Sequence, residues 1–180
     1  IPSDFNRTPD NLCVGDRWIL SEFTQVLADV ERDWTAIDIF SATRTIKNFS
    51  TNVLPNHWLE MAKDRLYDGD ENAAWTIHQI VKDLLTIFSP VCPFFTHHLS
   101  ETLYGKSAVD VRQYPTSCLA NDDEAVRLRS LTNSLSDFNS ETWRAKKDAA
   151  LSLNAEISGI TIPAELSEFN DELTAMHKLI

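Results

Sequence analysis

Four glycines in 180 residues are few. With so little freedom for tight reversals, the many short connections of a sandwich or barrel are disfavoured and helices are expected. Cysteine is also scarce, and Cys13, Cys92 and Cys118 are odd in number and widely spaced. That leaves no disulfide framework and fits a reducing, cytoplasmic compartment. Positive charge is short too: 16 Lys and Arg face 27 Asp and Glu, a formal charge of −11. Such a balance excludes indiscriminate nucleic-acid binding through a broad basic surface, though not a local RNA site. No stretch approaches the roughly 18 uninterrupted apolar residues of a membrane span. The chain opens Ile1-Pro2-Ser3 with neither Met nor a signal pattern, so the expectation is a fragment of something larger.

Catalytic signatures are missing as well. The chain contains no G-x-x-x-x-G-K, G-x-G-x-x-G, G-x-S-x-G or H-E-x-x-H. The one stretch that gathers cysteine and histidine is SPVCPFFTHHL, Ser89 to Leu99. A zinc site needs three or four ligands in paired spacings, and Cys92 stands alone. Adjacent His97 and His98 on a helix point about 100° apart and share a metal poorly. The better reading is a helix–corner–helix: Pro90 and Pro93 stop one helix and Thr96 caps the next. Neither a metal ligand nor a catalytic residue is assigned.

What is present is helical periodicity. A first helix is expected over 12–33, with Ile19, Phe23, Val26, Leu27 and Val30 inward. Asp38 starts a second, with Phe40, Thr43, Ile46, Phe49 and Val53 on one face. Pro55 kinks or restarts it, and 57–67 carries on with Trp58, Leu59, Ala62 and Leu66 as an apolar stripe. A further helix spans 71–88, with Ala74, Ile77, Val81, Leu84, Leu85 and Phe88 inward, and another spans 95–104, closed by Gly105. One long helix is expected over 122–148. Beyond it Ile157, Ile160 and Ile162 suggest a short strand, and Pro163 opens a last helix. The fold class is mainly α: a helical bundle over 1–116, then a smaller C-terminal subdomain over 117–180 containing the short strand. The five tryptophans sit at helical positions that favour the core.

Read in order, DRWILSEF (Asp16–Phe23), FSTNVLPNHWLEMAKDRLY (Phe49–Tyr67), LLTIFSPVCPFFTHHLSETLYG (Leu84–Gly105) and Tyr114-Pro115 resemble the anticodon-binding helical bundle of class I aminoacyl-tRNA synthetases. The subgroup is the valyl, isoleucyl and leucyl one. FNSETWRAKKDAALSLNAEISGITIP (Phe138–Pro163) and MHKL (Met176–Leu179) look most like the archaeal-type valyl members. One departure stands out: where the family usually has acids after Pro-Phe-x-Thr, this chain has His97, His98 and Leu99, which leaves a capping box incomplete.

The resemblance implies recognition of a tRNA anticodon, for tRNA-Val, with aminoacylation done elsewhere. The family's His-x-Gly-His and Lys-Met-Ser-Lys-Ser are absent from these residues. ATP and magnesium therefore belong to an upstream catalytic domain, which joins an editing domain as a partner. It also implies that the anticodon meets Phe5 and the end carrying Lys63, Arg65, Leu66 and Tyr67. Lys63 is equally an ion-pair partner of Glu60, and Leu66 equally plain core. Arg44, Lys47 and Asn48 share one side of a helix and either meet phosphates or stay solvated, as do Arg144, Lys146 and Lys147. The rivals are the same domain of an isoleucyl or leucyl enzyme, and a helical protein-interaction module with no RNA role.

Overall fold

A computed structural model describes residues 8–105, 114–116, 119 and 121–180. Its axis is α1, Val14–Thr35. The expected inward stripe is there, and burial goes further: Trp18, Leu20, Ser21, Thr24 and Asp33 are covered too. A helix covered on nearly every side belongs inside, and α2, α4 and α6 all pack on it. It ends with Ile37 in the left-handed region, φ 59°. Asp38 N–H donates back to Asp33 O at 2.8 Å there, closing the carbonyls that a glycine usually closes.

Asp38 then caps α2 (Ile39–Asn48), accepting from Ser41 N at 3.0 Å. Of the two expected effects of Pro55, a kink or a restart, the restart does not occur. An 11-residue π-helical segment, Phe49–Leu59, runs without a break into α3, Glu60–Tyr67. Pro55 has no N–H to donate, and the locally re-registered ladder absorbs that gap. Phe40 is corrected as well: Ala42, Ile46 and Phe49 face inward, while Phe40 is 73% exposed.

The helix α4, Glu71–Phe88, has the expected bounds and is capped by Asp70, which accepts from Asn72 N and Ala73 N. Its deepest face differs from the expected stripe. Ala73, Thr76, Ile80, Asp83 and Ile87 are buried, and Ala74, Ile77 and Val81 only half so. The reason is that polar Thr76 and Asp83 take inner positions, which an apolar count passes over. Asn72 Nδ2 donates to Asn11 O, so α1 and α4 start side by side. Pro93–Tyr104 forms α5, opening at Pro93 rather than Phe95 because proline is at home in a first turn. Thr96 is no cap: its buried hydroxyl donates to Cys92 O at 3.0 Å. Gly105, φ 63°, closes the helix.

The expected long helix is two, α6 (Asp123–Ser130) and α7 (Thr132–Asp148), broken at Leu131. At the break Trp18 Nε1 donates to the Thr132 hydroxyl at 2.9 Å. After α7, Ala150 takes φ 55°. The buried Lys146 ammonium donates to Leu153 O at 2.6 Å and holds the loop against the helix end. A 3₁₀ turn, Ala164–Phe169, leads into α8, Asn170–His177, with Pro163 just before the turn. No strand forms among the described residues: Ile157 and Leu179 make one isolated parallel bridge. Leu128, Leu135, Phe138, Leu166, Phe169 and Leu173 join the same apolar core as α1–α4.

Candidate nucleic-acid interface

The end of α3 is where the expected contacts are tested against geometry. Tyr67 projects from the last turn and is 82% exposed. Lys63 lies one turn back, its side chain 43% exposed and its Nζ 3.5 Å from Glu60 Oε2. The two are i,i+4 neighbours and share a face. Leu66 packs partly buried against the core. Phe5 lies outside the described residues.

Arg65, between them in sequence, turns inward. Its Nη2 is 2.7 Å from Asp16 Oδ1 and its Nη1 is 2.9 Å from Asp16 Oδ2, a bidentate pair. Asp16 is fully buried and also accepts from Trp58 Nε1 at 3.0 Å. Asp70 at 3.2 Å and Glu172 at 3.7 Å complete the surround. Glu172 in turn accepts from Gly15 N and from Cys13 Sγ, each at 3.1 Å. A Cβ at position 15 would meet that carboxylate, so the glycine lets it come this close without the Glu172 side chain shifting. Burial pushes the Glu172 carboxyl above its usual range, against the pull of Cys13 and Arg65. Burial first, then the charges of Glu172 and Asp16, pushes the Cys13 thiol far up and leaves it inert. One guanidinium thus ties together α1, α3, the cap of α4 and α8. Nothing in the spacing of Asp16 and Arg65 announced this.

Arg44, Lys47 and Asn48 are exposed on α2. Arg44 lies over the Phe40 ring, 5.7 Å from its centroid, and Asn48 Oδ1 accepts from Asn52 Nδ2 at 2.9 Å. Arg44 and Asn48 also edge a shallow groove of about 390 Å³ with Glu22 and Val53. This face lies on the same continuous helix as Lys63 and Tyr67. Lys47 and Lys63 are about 20 Å apart along it, allowing for the shorter rise of the π-helical segment, so the two candidate groups are separate places.

Another polar cluster also escaped sequence reading. Asn139, fully buried, donates its amide to His57 Nδ1 at 3.0 Å and accepts from His177 Nε2 at 2.8 Å. Trp143 stacks on His57 and meets His177 edge-on. Burial, then the charge of Lys146, brings His177 down to about 4. An uncharged acceptor–donor chain through Asn139 is what that neutral imidazole needs. At the Ser89–Leu99 corner His97 lies 3.4 Å from Glu101 and His98 is exposed. Among the described residues no three His, Cys, Asp or Glu side chains converge on a metal position, and no helix is long and apolar enough to cross a membrane.

A continuous helical spine with an exposed aromatic end is one architecture among many, so comparison with known proteins is needed to say which. The family model described as the anticodon-binding domain of tRNA ligase matches residues 16–161, and the chain belongs to that family. Its relatives narrow the class. The chain is 32% identical over 171 residues to the valine–tRNA ligase of Methanopyrus kandleri, covering 91% of this chain and 18% of that protein. It is 29% identical over 155 residues to the valine–tRNA ligase of Deinococcus radiodurans, 83% and 17%. With the valine–tRNA ligase of Sulfolobus acidocaldarius it shares 32% over 122 residues, 67% and 15%. It therefore spans less than a fifth of the length of these relatives.

Proposed function

We propose that this chain is the anticodon-binding part of a valine–tRNA ligase, holding the anticodon of tRNA-Val while a catalytic domain outside these residues attaches valine. The supporting observation is that archaeal and bacterial relatives matched over most of the chain carry that one name. In this reading catalytic and editing domains are partners within the same longer chain, at work in the cytoplasm. ATP and magnesium are bound by that catalytic domain. The segment 1–116 carries the recognition bundle and 117–180 braces it.

Lys63 and Tyr67, joined by Phe5, form the anticodon-facing patch. Unpaired bases gain about 1–3 kcal/mol each from stacking on an aromatic ring, and the half-exposed Lys63 adds a phosphate contact by exchanging its Glu60 partner, 3.5 Å away, for the phosphate. Such a site works in a chain of net charge −11 because it needs only local chemistry. Arg65 is a positioning residue: its guanidinium is committed to Asp16 and ties the end of α3 that carries Tyr67 to α1.

The test is titration of the chain with a tRNA-Val transcript and with the same transcript carrying another anticodon. Weaker binding of the second is expected. Equal affinity for the two, or for duplex DNA, would overturn the reading.

A further inference from the structure

We propose that the solvent face of α2 is a second RNA contact, at which Phe40 stacks an unpaired base while Arg44 and Lys47 hold the flanking phosphates; the proposal rests on the tRNA-binding reading above. Residues 40, 44 and 47 fall at i, i+4 and i+7, one stripe of a helix. All three are exposed, whereas Ala42, Ile46 and Phe49 take the core face. The Phe40 ring is 73% exposed even with the Arg44 guanidinium against it. The fold makes no use of this ring, and its free face is open to a planar group.

Charge singles out the same stripe. In so acidic a chain, exposed cations are expected to find carboxylates. Arg32, Arg127 and Arg144 do so, each within 4 Å of one. Although the Ser41 hydrogen bonds and then the charge of Arg44 lower the Asp38 carboxyl at the start of α2, Arg44 and Lys47 are exposed and make no ion pair within that distance among the described residues. They are also like charges one turn apart, an arrangement that costs helix stability and that a bound polyanion relieves. Asn48, Thr51 and Asn52 continue the exposed stripe with polar groups. Ile37 and Ile39 beside Phe40 are exposed and apolar, but from Arg44 onward the stripe is cationic and polar, which favours a phosphodiester chain with an accessible base. Along the helix Phe40 and Tyr67 are roughly 37 Å apart, so the two contacts touch different parts of one RNA.

The experiment measures affinity of the 180-residue chain for a tRNA-Val transcript by fluorescence anisotropy at several salt concentrations. Arg44→Gln with Lys47→Gln should reduce the slope of log K against log salt by about 1.4–1.8. Phe40→Leu should weaken binding about tenfold, and Phe40→Trp should restore it. All of these side chains are exposed, so thermal unfolding should show no loss of stability, and at most a slight gain in the double variant from removing the like-charge pair. The losses should be as large on a transcript with a changed anticodon, because the contacts are separate. An unchanged slope in the double variant, or equal affinity for Phe40→Leu and Phe40→Trp, overturns the proposal, and a protein-docking role would give both results. If the unmodified chain binds in an anticodon-dependent way and Tyr67→Ala weakens it while the α2 variants do not, only the second contact falls. If the unmodified chain binds no tRNA, the anticodon reading falls and this proposal with it.

Discussion

Arg65 Nη2 lies 2.7 Å from Asp16 Oδ1, a contact across 49 residues of chain. It joins the last turn of α3 to the first turn of α1, and through Glu172 it reaches α8. The end of the bundle that carries Tyr67 is therefore held from below by an ion pair rather than by apolar packing alone.

Arg65→Gln should destabilise the fold by about 3–5 kcal/mol, because it strands a fully buried carboxylate. Adding Asp16→Asn should recover part of that loss, since the charge left without a partner is then gone. Urea unfolding of the two single variants and the double closes the cycle. Strictly additive losses would mean that the two side chains do not act as a pair.

Tyr67→Ala should leave the unfolding midpoint within experimental error, because the ring is 82% exposed. Binding of the tRNA-Val transcript should weaken by about 1–3 kcal/mol. A variant that loses stability and keeps affinity would show Tyr67 to be structural.

Asp83 is buried, and burial raises its carboxyl from 3.8 to about 6, with Lys82 and Gln79 pulling the other way. A raised carboxyl binds its proton more tightly in the folded state. Its effect on stability is thus unfavourable at neutral pH and is relieved as pH falls from about 6 towards 4. Asp83→Asn should stabilise the chain by about 3 kcal/mol at pH 7.5, while keeping a hydrogen-bond partner for Gln79. The gain should fade near pH 4 in a series of thermal melts. A gain that does not vary with pH would show that ionisation is not its source.

His177 shifts with the opposite consequence. Its folded value of about 4 lies below the ordinary 6.5, so the unfolded chain takes up the proton first. The stability this histidine contributes is present above about 6.5 and is lost as pH falls towards 4. Imidazole NMR should show His177 neutral, with its proton on Nε2, down to about pH 4. A midpoint near 6.5 would mean that the Asn139 bridge is not held in solution.

Most of the scaffold was legible from periodicity and punctuation. Asp38 caps, Gly105 closes, and the bounds of α4 follow from its apolar pattern. Errors arose where a neighbour decided a side chain's direction. Phe40 was expected inside because it fits an apolar stripe. It is outside because Ala42, Ile46 and Phe49 already fill the contact with α1. The strand around Ile157 rested on β-branched residues, but a lone segment with one bridging partner cannot build a sheet. For the candidate site, helical spacing already put Arg65 on another side from Lys63 and Tyr67; what it did not give is the partner, buried Asp16, that turns Arg65 inward.

By itself the sequence determined the helical class, the family and the absence of known catalytic motifs, because turn residues, apolar spacing and motif order are local properties of the chain. Only the tertiary structure decided which charged groups are committed and which are available. Whether Arg65 or Lys47 can meet an RNA phosphate depends on what stands within 4 Å of it. For Arg65 that is Asp16, brought there by the packing of α1 on the helical spine.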